Sequence, residues 1–166
     1  MPPTHRQARR TLTPSEWLEL SPGLAKALAA AAVAPLIEPR AHPAAFLAQL
    51  RFGSLPIMVV GRTIWWPNAR PDFSGTRDMA VLQHELQHVL DFADGRLSIA
   101  GYLLLPHNWT YRWELGDQLR WDRLGAEQRA SVAEALWRAE RSPASAEMAT
   151  SLRQVIPWAG DEAAPG

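Results

Sequence analysis

The chain contains no cysteine. Disulfides and thiolate metal sites are therefore excluded, and any bound ion must be held by His, Asp or Glu. Excess charge is missing too: Lys+Arg and Asp+Glu both number 17, for a formal net charge of zero. With no global field to attract polyanions, neither nucleic acid nor a membrane surface is expected as a partner. Long hydrophobic runs are also absent. The most apolar stretch, GLAKALAAAAVAPLI, contains Lys26 and Pro35 and is too short to span a bilayer, so no signal peptide or anchor is read. The default expectation is a cytoplasmic location, although signal-independent secretion would leave the same pattern.

What is present suits one globular domain. The 166 residues are 47% hydrophobic and 20% charged, as expected of a folding chain. Phenylalanine is sparse, with four residues against eight tryptophans, so the tryptophans are expected to fill a core or line a hydrophobic cleft. TPSEWLEL has helix-start chemistry in Thr13, Pro14 and Glu16. SPGLAKALAAAAVAPLIEP reads as a second helix ended by Pro35 or Pro39, and residues 41 to 50 as a short one. The stretch from Leu55 to Gly75 gathers β-branched and aromatic residues around Gly61, which predicts a strand pair or hairpin. Residues 96 to 115 read as a long loop with a short helix around Trp113, and GAEQRASVAEALWRAERS as a further helix. The C-terminal stretch from Pro143 is ambiguous between loop and helix.

One helix carries chemistry. GTRDMAVLQHELQHVLDFADG is bracketed by Thr76 or Asp78 at its start and by Gly95 just past its end. At about 100° per residue, His84 and His88 lie about 40° apart on one face, so both imidazoles can reach one ion. Glu85 sits about 100° round from His84, poorly placed as a ligand but well placed as the general base for a water at an open coordination position. This is the H-E-x-x-H pattern, whose metal is Zn2+ in peptidases. The alternative is a helix that merely buries two hydrogen-bonded histidines.

A catalytic zinc site needs a third protein ligand. Asp94 stands six residues after His88, but Asp91 occupies the place where such a pattern has the glycine that lets the chain swing back. His107, in LLLPHNW, is a suitable ligand type in the following loop. Glu127, early in the later helix, is the favoured choice because a carboxylate on a rigid element can be aimed at the histidines. Against it, its helix face also carries Ser131, Glu134 and Arg138, which reads as solvated. Tyr111 and Tyr102 are candidates to stabilise an oxyanion. Asp91 is a candidate to orient a ligand imidazole.

Together, HELQHVLDFADG and GAEQRASVAEAL resemble the gluzincin group of zinc metallopeptidases, in which a second helix supplies a glutamate ligand. The 39 residues from His88 to Glu127 suit that group. More narrowly, GRTIWWPN, LQHELQHVLDF, YRWEL and LGAEQRA are similar to small bacterial peptidase domains, some labelled as related to VgrG proteins of type VI secretion. Those domains carry an H-E-L-T-H-V-type helix and an E-Q-Q-A stretch; here Gln87 replaces the threonine and Arg129 the second glutamine. The resemblance implies His84, His88 and Glu127 as zinc ligands and Glu85 as base; Tyr111 is read beside them, from its residue type, as an assisting catalytic residue. It implies a peptide or protein substrate, with secretion-system components as further partners. The expected fold is α+β and minimal zincin-like: a small sheet packed on the helix of residues 77 to 94, with a second helix near 125 to 140 closing the site. Within the single domain of residues 1 to 166, residues 55 to 140 would form the catalytic core. Residues 1 to 50 would be an N-terminal helical extension and residues 141 to 166 a C-terminal one. Such a domain would hydrolyse peptide bonds, or else serve as a non-catalytic zinc-stabilised adaptor or cargo.

Overall fold

A computed structural model of the chain describes residues 8–45, 55–116 and 118–160. Near the N-terminus, strand β1 (Arg10–Thr11) leads into helix α1 (Pro14–Glu19). The start of α1 is the one expected from its sequence. The Thr13 side chain accepts from the Glu16 N–H, and the Glu16 carboxylate accepts from the Thr13 N–H, closing a capping box. Tertiary partners complete it, because fully buried Glu16 also accepts from Arg10 and from the Phe73 N–H.

Helix α2 (Pro22–Ala30) is shorter than its composition predicts. Its alanine run stops where Ala32 takes a left-handed φ of 52°, and the N–H groups of Ala32 and Val33 close back on Ala29 and Leu28. Of the two expected helix ends, Pro39 is excluded, because Leu36–Glu38 forms strand β2. The reason is tertiary: Leu36–Glu38 pairs parallel with β4 (Thr63–Trp65) and antiparallel with β1, which buries Ile37 completely. β3 (Met58–Val60) and β4 form the expected hairpin around Gly61, whose φ of 59° suits a tight turn. The sheet order is β1-β2-β4-β3, so β3 is an edge and β4 lies inside. The short helix read over residues 41 to 50 falls largely outside the described residues.

Helix α3 (Asp78–Ala93) bears the two histidines and ends, as predicted, at Gly95 with a φ of 70°. Residues 96 to 115 differ from expectation. Helix α4 spans Ile99–Leu104 and a 3-10 turn spans Pro106–Trp109, whereas the backbone around Trp113 is not helical. Ser98 explains the position of α4, since its hydroxyl accepts the Gly101 N–H and caps the first turn. A 3-10 turn at Trp121–Arg123 precedes helix α5 (Ala126–Glu140), and the ambiguous C-terminal stretch contains helix α6 (Ala146–Val155). The fold is therefore α+β. Among the described residues, no helix is long and apolar enough to cross a membrane.

Two apolar clusters hold these elements. The first joins Leu24 and Leu28 of α2, Ile37 and Ile64 of the sheet, and Met79, Leu82, Leu86 and Val89 of α3. The second joins Val132 and Leu136 of α5 to Leu152 and Ile156 at the C-terminal end, with Trp121. Trp158 packs against both. A Cβ on Gly23 would collide with the Trp158 backbone, so the C-terminal turn sits directly on α2. Its indole Nε1 also donates to Gln87 Oε1 at 2.9 Å.

Between the clusters α3 packs along α5, fastened by a buried ion pair. Asp91 Oδ2 accepts from Nε and Nη2 of Arg129, both at 2.9 Å, and Asp91 Oδ1 accepts from Gln87 Nε2 at 2.8 Å. Removing one partner of such a pair strands the other charge out of water. Arg129→Met is therefore expected to cost about 3–5 kcal/mol in urea unfolding, with much of the loss recovered when Asp91→Leu is added. A single-variant cost below about 1 kcal/mol would show that α3 and α5 do not depend on this clasp.

Candidate metal centre

Burying the apolar arc of α3 against the sheet and α2 turns His84 and His88 toward α5. Their rings stand one turn apart, with centroids separated by 5.1 Å. Glu127 reaches them from the first turn of α5 and is 4% exposed. Its Oε2 lies 3.1 Å from His84 Nε2 and 3.4 Å from His88 Nε2. Donors bound at about 2.0 Å around a tetrahedral ion stand about 3.3 Å apart, so these separations suit a shared ion. One donor atom from each of the three side chains lies within 4.8 Å of the others. This buried group can hold a metal ion.

Several neighbours fix that geometry. Tyr102, on α4, donates its hydroxyl to Glu127 Oε1 at 2.6 Å and leaves Oε2 to face the imidazoles. Asn108 secures the start of α5, its Oδ1 accepting the Ala126 N–H and its Nδ2 donating to the Gly101 carbonyl, both at 3.0 Å. Gly125 permits this approach, because a Cβ there would collide with the His107 carbonyl. Behind the other helical ligand, Glu134 Oε2 stands 3.4 Å from His84 Nδ1, and Glu134 Oε1 is itself held by Arg138. A carboxylate behind a ligand imidazole fixes ring orientation and raises its basicity. His88 Nδ1 is buried with no partner among the described residues.

The electrostatics are those of charges that must share a dry site. Burial alone disfavours a charged His84, yet the carboxylates of Glu127 and Glu134 outweigh it and push its pKa up to about 10. The same balance holds Glu127 well below the usual carboxylate range: burial opposes ionisation, but contacts with His84, His88 and Tyr102 prevail. Glu85 is moved upward, chiefly by burial, despite the attraction of the two histidines.

Of the residues singled out from the sequence, His84, His88 and Glu127 come together, and Glu85 is buried on the same helix. The Tyr111 ring stacks on His84 at 6.1 Å, and its hydroxyl is pushed upward by burial and by the Glu127 carboxylate. Tyr102 is engaged with Glu127 and so belongs to the support of the group. Asp94 and His107 stand apart, Asp94 as the exposed C-cap of α3 beside Arg96 and His107 exposed on its 3-10 turn. Asp91 does not bond an imidazole, since Arg129 and Gln87 take its oxygens. The helix face that reads as solvated is exposed at Arg138 and half-buried at Ser131 and Glu134, and it is buried only at Glu127. Sequence reasoning missed Glu134, Asn108 and Gly125. A signal existed for Glu134, two turns after Glu127, but the face was read as polar and exposed.

Comparison with protein-family models, with curated proteins and with solved structures returned no match for this chain.

Two measurements follow from this geometry. Tyr102→Phe frees Glu127 Oε1 and should weaken metal affinity by roughly 10- to 100-fold in a chelator competition titration. Unchanged affinity would remove Tyr102 from the support of the ligand. Because metal-free His84 keeps its proton until the pH approaches about 10, ion uptake at neutral pH must expel it. Affinity should then rise about tenfold per pH unit between about pH 6.5 and 8.5, with proton release into weak buffer. The sign also sets metal-free stability. The His84 contribution is complete below its unfolded pKa of about 6.5 and is lost as the pH rises through about 10.

Proposed function

We propose that the chain is a zinc-dependent peptide hydrolase of minimal zincin type, with His84, His88 and Glu127 as the ligands. The observation that carries this reading is the approach of Glu127 Oε2 to both imidazoles at 3.1 and 3.4 Å, with Glu85 adjoining in sequence. The donor set of two nitrogens and one carboxylate oxygen suits zinc and leaves a fourth position for water or substrate. When bound, the ion would polarise the scissile carbonyl and acidify the attacking water.

The remaining roles fall to side chains. Glu85 takes the proton from the attacking water and then returns it to the departing amine. Its burial supports the second half of that task, because a carboxyl moved upward holds a proton more readily than an exposed one. Tyr111, stacked on His84 and beside the Glu127 carboxylate, is the candidate donor for the developing oxyanion, since Tyr102 is committed to Glu127 at 2.6 Å. An extended peptide can add to the sheet only where a strand edge is open. Among the described residues β1 and β3 are the edges, and of the two β3 is the one that packs on the histidine helix, so this part falls to β3.

The test combines elemental analysis with Glu85→Gln. Zinc near one equivalent is expected in both proteins, with an unchanged melting temperature and a roughly 10²- to 10⁴-fold loss of peptide hydrolysis in the variant. Absence of zinc from the unmodified protein would sink the reading. Zinc retained without any hydrolysis by the unmodified protein would move it to a non-catalytic, zinc-stabilised domain, such as an adaptor or cargo of a secretion system.

A further inference from the structure

Residues 97–111, LSIAGYLLLPHNWTY, contain no Asp, Glu, Lys or Arg in a chain that is 20% charged. Despite their place on the surface they keep large apolar groups in water: Leu104 is 76% exposed, Leu103 61%, Tyr111 58%, Ile99 54% and Trp109 51%. Scattered apolar side chains are ordinary on a surface, but a run of them without interspersed charge marks a place that takes up something apolar.

This run is continuous with the metal centre. Tyr102 within it holds Glu127, Tyr111 stacks on His84, and Trp109 Nε1 donates to the Tyr102 carbonyl at 2.6 Å. Asn108 bonds both Gly101 and Ala126, so the segment is fastened to the start of α5. Its backbone is partly closed on itself, with the N–H groups of Tyr102, Leu105 and Asn108 donating to Ser98, Gly101 and Leu105. Recognition there is by side-chain contact, in contrast to β3, an edge strand among the described residues.

We infer that this segment binds the large aliphatic or aromatic side chains of an extended peptide beside the metal centre, which makes apolar-rich peptides the substrate class. The inference rests on the hydrolase reading for the word substrate, and on the exposed apolar surface for the binding. A peptide is the fitting occupant because Tyr102 and Tyr111 set this segment directly against Glu127 and His84.

The test uses the full-length, zinc-loaded Glu85→Gln protein, which can bind peptide without consuming it. Fluorescein-labelled peptides that differ only in a central Leu, Phe or Ser are titrated by anisotropy. A roughly tenfold preference for Leu and Phe over Ser is expected. It should shrink toward unity in Leu103→Asn/Leu104→Asn, whose altered side chains are exposed and so leave the melting temperature in place. No preference, or one that survives the double variant, overturns the inference. So does a dimer in sedimentation, or adsorption to lipid vesicles, that the double variant abolishes, because the surface would then have another occupant. Cleavage by the unmodified protein is scored separately. Apolar preference in binding without cleavage leaves this site standing and removes the hydrolase, whereas cleavage without preference does the reverse.

Discussion

The candidate metal centre depends on one carboxylate crossing from α5 to α3. Glu127 is the only member of the donor group not on the histidine helix, so the group exists only while the two helices keep their separation. Shifting either helix by about one turn, about 5.4 Å, would carry Glu127 out of reach of both imidazoles. The Asp91 to Arg129 pair clasps α3 to α5 about one turn beyond His88, and the Tyr102 and Asn108 contacts hold the start of α5. These polar contacts are buried, which makes them costly to break and well suited to fixing a register.

The two apolar clusters divide the work on either side of that seam. The sheet and α2 give α3 a surface on which to bury its apolar arc, while α6 and Trp121 do the same for α5. Each of these two helices is thus backed by its own core, with His84, His88, Glu127, Asp91 and Arg129 gathered at the seam. Trp158 ties the two halves together, touching both clusters and reaching Gln87 on the histidine helix. Helix α2 and the turn at Trp158 therefore take part in the packing that positions the two histidines and Glu127.

Much of the centre was legible in the sequence because α-helical geometry is local. A four-residue spacing places His84 and His88 on one face whatever surrounds them, and Gly95 marks the end of their helix through its own backbone freedom. The Thr13 and Glu16 capping box and the Gly61 hairpin were readable for the same reason. Leu36–Glu38 was not, because the triplet Leu-Ile-Glu after an alanine-rich helix has no local preference strong enough to declare a strand. Pairing with β4 decides it. Gln87 and Arg129, the two departures from the resembled pattern, carry no meaning singly, yet both bond Asp91.

The sequence by itself determined the helix with its two imidazoles and adjoining glutamate, and the exclusion of thiolate ligands. Those follow from residue type and short-range spacing alone. Only the tertiary structure decided that Glu127 rather than Asp94 or His107 meets the histidines, that Glu134 stands behind His84, and that Tyr102 is engaged rather than free. Each of these joins residues tens of positions apart. Such contacts depend on how helices bury their apolar faces, which no local pattern specifies.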